Sequence, residues 1–275
     1  MDSINRPAAT AAPAAVTARA AAERARARAR AIVWASWVGL VVLILVGMQV
    51  LNVTQGNLVM PRPAAVAEEF ITLWSDSTML KALGQSLTVL GLGFLLAAST
   101  GIVGGVILGG FPFLNRVMDP FVNAMNATPG AAFIPLVIVW FGLYTEAKVV
   151  VVWNAAFFPI LINTASGIAS ANRDLVEMGQ SFGASRRALF WQVMVPDALP
   201  SILSGLRIGA AICTVGTVIA EMTMAQSGLG GLLVAAGNRF QMDKYFAVVI
   251  VLMALGTVIT AALRWAERRF GRWRA

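Results

Sequence analysis

The sequence predicts an all-α membrane protein with six transmembrane helices. Of its 275 residues, 58% are hydrophobic and 12% are charged, and the mean hydropathy is +0.76. Soluble domains carry about a quarter charged residues. Six apolar runs are long enough to cross a bilayer, which takes roughly 20 helical residues. Positive charge collects in the tails, with six Arg and two acidic residues in the first 30 and five Arg and one acidic residue in 264–275.

The six predicted spans follow one another along the chain, with more polar segments between them. They cover residues 32–51, 83–108, 119–143, 147–166, 202–224 and 245–263. A basic, Ala-rich segment over residues 1–30 is predicted to be a disordered or transiently helical cytoplasmic arm, and residues 31–275 the transmembrane domain. The long basic start and the absence of a small-residue cleavage site favour a retained anchor over a secretory signal.

The distribution of basic residues predicts the orientation of the chain. An even number of spans puts both termini on one side, and placing them in the cytoplasm puts 15 Lys and Arg residues inside and five outside. Cytoplasmic loops carry such an excess. The segment between the fourth and fifth spans then also faces the cytoplasm. Arg207, about 10 Å into the fifth span, is predicted to extend back to the headgroups.

The composition excludes several classes of function. The chain has one cysteine, Cys213, and no histidine. An internal disulfide is therefore impossible, and Cys/His metal sites and histidine-based catalysis lack their residues. The chain has no GxxxxGK[ST] phosphate loop, so it is predicted to bind no ATP itself and to be no enzyme. The basic tails favour contact with anionic lipids over binding of nucleic acid.

Two spans carry residues that shape helix packing. Gly101, Gly105 and Gly109 share one face of the second span, which favours close packing within the subunit or a contact between copies. The third span contains Thr-Pro-Gly at residues 128–130, followed by Pro135, and is predicted to break there. A break at membrane depth is tolerated only inside protein or beside a water-filled cavity. Interior packing and a pathway lining both remain open.

Polar residues within the spans are candidates for the lining of a transport pathway. Buried amides also join helices in membranes, and an acid near a span end can sit at the interface, so both alternatives stay open. The candidates are Asn123, Asn126, Pro129, Asn154 and Glu221.

The polar segment 174–200 between the fourth and fifth spans contains an apolar run, residues 188–195, that is too short to cross a bilayer. Such a run needs another surface to cover it, and a partner protein is favoured over the membrane interface. Asp174 and Glu177 resemble a capping box that would begin a short helix. Gly183 can end that helix in a left-handed conformation.

A second helical piece is predicted over residues 184–195. Pro196 is expected to end it because proline has no amide donor, and Asp197 to cap the fifth span. Arg186 and Arg187 lie at the bend between the two pieces. Two helices bent about a glycine form an elbow that can transmit force from a partner to the fifth span.

The spacing in this segment resembles the EAA loop in permease subunits of ABC importers. That pattern is Glu-Ala-Ala, three residues, Gly, nine residues, Ile, one residue and Leu-Pro. Here Glu177 is followed by Gly183 six residues on, by Val193 ten further and by Val195-Pro196. The two residues after Glu177 replace the alanines, and valines replace Ile and Leu.

Other segments resemble the nitrate/sulfonate/taurine-type permeases of that superfamily. Together with the EAA-like spacing, the resemblance covers roughly residues 57–270. The segments are VMPRPAAVAEEF (59–70), IPLVIVWFGL (134–143), GASRRALFWQVMVPDALPSILSGLRIG (183–209) and AEMTMAQSGLGGL (220–232).

The resemblance implies a type I ABC importer permease in a bacterial inner membrane, with a cytoplasmic coupling helix between spans four and five. It also implies a homodimer, two ATPase subunits that bind ATP and Mg, and an extracytoplasmic substrate-binding protein. By this analogy the helix after Gly183 docks in a cleft of the ATPase. The coupling residues it implies are Glu177, Gly183, Ala184, Ser185, Arg186, Arg187, Leu189, Phe190 and Pro196.

Plainer roles stay open for some of these residues. Glu177 can simply cap its helix, and Arg186 and Arg187 can be ordinary positive-inside residues. The alternative function is an ion-coupled secondary transporter, which is expected to carry acids deep in broken helices and to show repeated halves. The acids in the predicted spans, Asp119 and Glu221, lie near span ends, and no convincing repeat is visible.

Overall fold

A computed structural model describes residues 12–224 and 227–270, and within those ranges the chain is helical and has no strand. It divides into two compact units, residues 1–63 and 64–275. The boundary that the sequence predicts between residues 30 and 31 lies inside the first helix.

The first unit contains helix α1 (Ala12–Gln55), of which Arg28–Gln55 is long and apolar enough to cross a membrane. Helix α1 includes residues 12–30 of the predicted arm, and Ala and Arg are both strong helix formers. Residues 1–11 of the predicted arm lie outside the described part of the chain. The helix ends beside Gly56, and Asn52 donates a hydrogen bond to the Met60 carbonyl (2.6 Å), which fixes the turn that follows.

The second unit consists of helices joined by short turns. They are α2 (Pro63–Ser75), α3 (Thr78–Gly110), α4 (Pro112–Ala127), a 3₁₀ turn (Gly130–Phe133), α5 (Ile134–Phe141), α6 (Thr145–Ala169), α7 (Arg173–Ser181), α8 (Arg186–Leu189), a π-helical turn (Phe190–Met194), α9 (Val195–Thr223), α10 (Gly228–Asn238) and α11 (Met242–Phe270).

Five helical stretches among the described residues are long and apolar enough to span a membrane. Helices α4 and α5 are bent by 87° relative to each other. They supply a sixth crossing if the pair is counted as one broken span. The bend follows Ala127, where the sequence predicts it from Thr-Pro-Gly. The broken span starts at Pro112, several residues before the predicted residue 119, since proline suits the first turn of a helix.

Helices α3, α6 and α9 pack together at the centre of this unit. The predicted glycine face of α3 lies against α6 and not on the outside. A Cβ atom on Gly105 would lie 2.5 Å from the Thr164 Cβ, and one on Gly109 would lie 2.7 Å from the Ala165 carbonyl oxygen. The close-packing prediction is therefore confirmed as a contact within the subunit.

Pro196 does not end a helix, contrary to the prediction. One continuous helical stretch runs over Arg186–Thr223, and Pro196 lies inside it. The π-helical turn Phe190–Met194 comes directly before the proline, and such local widening of the helix accommodates the missing amide. The second piece of the loop is thus physically part of the fifth span.

Arg207 forms an ion pair with an acid of α11. Its guanidinium nitrogen lies 2.8 Å from a carboxylate oxygen of Glu267, which joins α9 to α11. The sequence does not predict this pair, because Glu267 lies 60 residues away and their proximity depends on the antiparallel packing of the two helices.

Candidate functional site

Helix α7 begins at the loop between the fourth and fifth spans, and Asn172 caps it. The Asn172 side chain accepts a hydrogen bond from the Asp174 amide (2.9 Å). The predicted capping box with Asp174 as cap is therefore wrong by two residues. Asp197 lies inside the helical stretch Arg186–Thr223 and not at its start, contrary to the prediction that it caps the fifth span. Its carboxylate accepts a hydrogen bond from the Asn172 amide (3.0 Å). This bond ties the start of α7 to the first turns of α9.

Gly183 bends the loop as predicted. Its φ is +79°, the left-handed region in which glycine has no steric penalty. The Ala184 amide donates to the Gly179 carbonyl (3.0 Å) across the bend. Ser185 then caps the second helix, since its hydroxyl accepts from the Ala188 amide (3.2 Å). Two helices joined at a glycine elbow are thus present.

The apolar residues that follow the elbow pack inside the subunit. Leu189 is 5% exposed, and its side chain covers Gly179, where a Cβ would meet it at 2.5 Å. The ring of Phe190 covers Gly110 at the end of α3, where a Cβ would meet it at 2.7 Å. The two side chains therefore do not form the exposed docking surface expected of them. Leu189 packs the two pieces of the elbow together, and Phe190 packs the elbow against α3.

The exposed apolar surface of this segment combines Val193 and Pro196, which lie in the predicted segment, with other side chains. The residues form a groove of about 1080 Å³, here called the loop groove. Phe182 stands 85% exposed at its edge. An exposed apolar surface of this kind marks an interaction site. The loop groove is lined by Leu175, Met178, Gly179, Phe182, Gln192, Val193, Pro196, Asp197, Leu199 and Leu203.

Three charged residues of the same segment are exposed outside the lining of the loop groove. They are Glu177, Arg186 and Arg187, and none of them forms an ion pair with another described residue. Of the remaining predicted coupling residues, Gly183, Ala184 and Ser185 form the exposed bend. Pro196 lines the loop groove. The coupling role of these residues stays a prediction.

A second candidate site lies at the break between α4 and α5. It is a pocket of about 410 Å³ between the broken span, α6 and α9, here called the break pocket. Asn126, Pro129 and Asn154 all line it, so the fold brings together three of the five pathway candidates. Gly130 lets the chain approach closely, since a Cβ there would lie 3.3 Å from the Asn154 side-chain oxygen. Asn123 lies on the exposed side of α4, outside this lining.

Glu221 is fully buried and lies apart from the break pocket. Both of its carboxyl oxygens accept from the Ser86 hydroxyl, at 2.8 and 2.9 Å. One of them also accepts from the Gly230 amide (2.9 Å). The expectation that Glu221 sits at the interface or lines a pathway is therefore wrong. It secures the beginning of α10 in the interior.

Side chains from other helices complete this arrangement. The Leu229 amide donates to the Ser86 hydroxyl (2.9 Å), and the Gly228 amide donates to the Gln85 side-chain oxygen (2.9 Å). Lys148, which is only 3% exposed, donates to the Ser227 hydroxyl just before α10. The first amides of α10, which lack partners inside their own helix, are thus bound by side chains of α3 and α9.

Comparison with known proteins decides the family. The model of the binding-protein-dependent transport system inner membrane component matches residues 101–272. The chain belongs to this family. It is the permease subunit of a binding-protein-dependent ABC importer, a multi-pass protein of the inner membrane, and the resemblance seen in the sequence is confirmed.

The relatives of this permease include transporters with different named substrates. It is 32% identical to the taurine transport system permease protein TauC of Escherichia coli, over 78% of this chain and 80% of the relative. It is 31% identical to the putative aliphatic sulfonates transport permease protein SsuC of Bacillus subtilis, over 78% of each chain. It is also 31% identical to the formylaminopyrimidine transport permease protein ThiX of Halalkalibacterium halodurans, over 78% and 86%.

Solved structures show the same fold. A chain of the inward-facing MetNI methionine ABC transporter matches with a TM-score of 0.62 at 19% identity, covering 70% of this permease and 95% of that chain. A chain of an amino acid ABC transporter with histidines matches with a TM-score of 0.57 at 16% identity, covering 73% and 98%. The predicted type I importer permease fold is confirmed.

The sequence contains a signal for the loop groove that goes beyond the EAA-like spacing. Leu175, Met178 and Phe182 follow one another at intervals of three and four residues, the spacing of an apolar stripe on one helix face. That stripe on α7 supplies the exposed wall of the loop groove. The partner of Glu221, Ser86, has no comparable signal, because 135 residues separate the two.

Proposed function

We propose that this permease works as one of two copies and is moved by two separate ATPase subunits that dock on the loop groove. A substrate-binding protein would deliver the solute from the outer side. ATP and Mg would bind the ATPase, since the sequence has no phosphate loop. The observation that carries the proposal is an exposed apolar groove on a segment with the EAA-like spacing.

The loop groove has the chemistry of a protein-binding surface. Its apolar wall, with Phe182 85% exposed, gains free energy when a partner removes it from water, at about 25 cal/mol per Å². Glu177, Arg186 and Arg187 lie exposed on the same segment, and their charges can fix the orientation of the partner. Because the second piece of the elbow continues without a break into α9, a push on the loop groove would act directly on α9.

The break pocket is the best candidate for part of the solute pathway. Asn126 and Asn154 offer donors and acceptors beside an otherwise apolar lining. An 87° bend leaves backbone groups without helical partners, and such irregular backbone survives at membrane depth beside protein or a water-filled cavity. The pocket volume of about 410 Å³ suits a small organic solute.

The orientation follows from the same proposal. The ATPase lies in the cytoplasm, so the loop groove faces that side, and both basic termini would share it. The excess of basic residues in the inward-facing segments supports this arrangement.

Co-purification tests the docking surface. We expect Phe182→Ser to reduce the ATPase that purifies with the permease at least about tenfold, because the substitution removes the most exposed apolar side chain of the groove. Phe113→Ser is the matched control, since Phe113 is 78% exposed at the start of α4 and lies outside the groove. Normal ATPase recovery with Phe182→Ser and with Met178→Asp would contradict the proposal.

A further inference from the structure

Val215 on α9 separates two cavities. On one side is the break pocket, of about 410 Å³. On the other is a groove of about 420 Å³ between α9 and α11, here called the α9/α11 groove. Val215 lines both cavities and is 59% exposed. The two cavities therefore meet at one apolar side chain.

The lining of the α9/α11 groove is mostly apolar, with three threonines in it. Thr214, Thr257 and Thr260 line it. Their hydroxyl groups donate to carbonyls one turn back in their own helices, and the oxygen atoms stay able to accept. Gly256 keeps the groove open, because the nearest atom to a Cβ there would be the Thr214 methyl at 3.8 Å.

Arg264 closes one end of this groove. Its Nε donates weakly to the Thr260 carbonyl (3.4 Å), which holds the side chain over the lining. Arg264 is the one charged residue in the lining of the two cavities, as far as the described residues go, and no acid lines either of them. A solute that follows this surface thus meets amides, then hydroxyls and finally a single positive charge.

The direction of the groove follows from the pairing of α9 with α11. Arg264 lies one turn before Glu267, which pairs with Arg207. Arg207 precedes Val215 by eight residues, about 12 Å along the helix, towards the loop at the start of α9. The groove thus leads from the break pocket towards the membrane end that carries the loop groove.

We infer that the transport route passes from the break pocket over Val215 into the α9/α11 groove, and that Arg264 binds an acidic group of the solute there. The solute class is a small organic molecule with a carboxylate, sulfonate or similar anion. This inference rests on the proposed function and adds the second half of the route and the charge of its cargo.

Cysteine accessibility tests the route in the complete transporter reconstituted in vesicles. We expect Thr257→Cys to react with a membrane-impermeant methanethiosulfonate at least about tenfold faster than Val258→Cys. Val258 is the matched control, because it is 65% exposed and points to a different side of the same helix. The native Cys213 is fully buried, so the unsubstituted protein sets the background. Equal rates, or a faster Val258→Cys, would show that the groove faces lipid and would overturn the inference.

The charge of the reagent tests Arg264. At Thr257→Cys, we expect the positive charge of Arg264 to raise the reaction rate of the anionic sulfonatoethyl reagent relative to that of the cationic trimethylammonioethyl reagent. Adding Arg264→Gln should lower this rate ratio at least about fivefold, whereas the exposed Arg269→Gln should leave it near its starting value. An unchanged ratio with Arg264→Gln would contradict the role of Arg264.

Two further measurements identify the cause if the predicted labelling is not observed. A fall in Thr257→Cys labelling when phosphatidylglycerol is added to phosphatidylcholine vesicles would assign Arg264 to a lipid headgroup and overturn the solute site. If Thr257→Cys is unreactive while a loaded binding protein still stimulates ATP hydrolysis, the route is wrong and the proposed function stands. If no ATPase binds to the unsubstituted permease, the proposed function itself is contradicted.

Discussion

Glu221 shows how a single residue can organise the interior of this permease. Its carboxyl group accepts hydrogen bonds from Ser86 and Gly230, and all of its surface is buried. Gly228 is necessary for this contact, because a Cβ there would lie 2.0 Å from a Glu221 carboxyl oxygen. An isolated polar group at this depth would be costly, so the bonds to α3 and α10 are what permit it.

We predict that Glu221→Ala destabilises the subunit. The substitution leaves the Ser86 hydroxyl and the Gly230 amide without their acceptor, which costs about 1–3 kcal/mol for each buried group that stays unpaired. Thermal unfolding in detergent measures the effect. The neighbouring Met222→Ala is the control, because Met222 is 38% exposed. Equal unfolding temperatures for the two variants would contradict the assigned role of Glu221.

At the scale of whole elements, the contact between α3 and α6 depends on missing side chains. Gly93, Gly101, Gly105 and Gly109 all face α6, and a Cβ on any of them would come within about 3.0 Å of an atom of that helix. Small residues allow such close approach, which is a main source of helix association in membranes.

Two glycines on α3 should therefore respond oppositely to alanine. Gly105→Ala forces a Cβ against Leu161 and Thr164 and should lower the unfolding temperature. Gly91→Ala meets no atom within 4 Å and should raise stability by up to about 1 kcal/mol through helix propensity. Comparing the two unfolding midpoints tests the packing. The same sign of change in both variants would show that α3 and α6 do not meet in this way.

Local signals in the sequence predict several of these elements correctly. Gly183 bends the loop because only local backbone conformation is involved, and Pro129 marks the break for the same reason. Pro196 misleads, since the π-helical turn before it is not visible in residue types. Leu189 and Glu221 are misplaced because their surroundings come from α3, α7 and α10, and a single sequence does not reveal which distant helix will cover a given side chain.

In the whole molecule, the elbow and the break pocket lie at different parts of one continuous stretch of helix. Arg186–Thr223 runs without interruption from the loop groove to the level of the buried Glu221. The break pocket contacts this stretch at Ile212, Val215, Gly216 and Ile219. Movement of the elbow by an ATPase would therefore reach the pocket through a single continuous helix.

Solute uptake into vesicles tests this coupling most directly. The permease is reconstituted with its ATPase and a binding protein loaded with the solute that it retains on purification. We predict uptake that requires ATP on the side of the loop groove and that falls at least about tenfold with Phe182→Ser. Uptake driven by a proton or sodium gradient in vesicles that contain the permease without any ATPase would contradict the account.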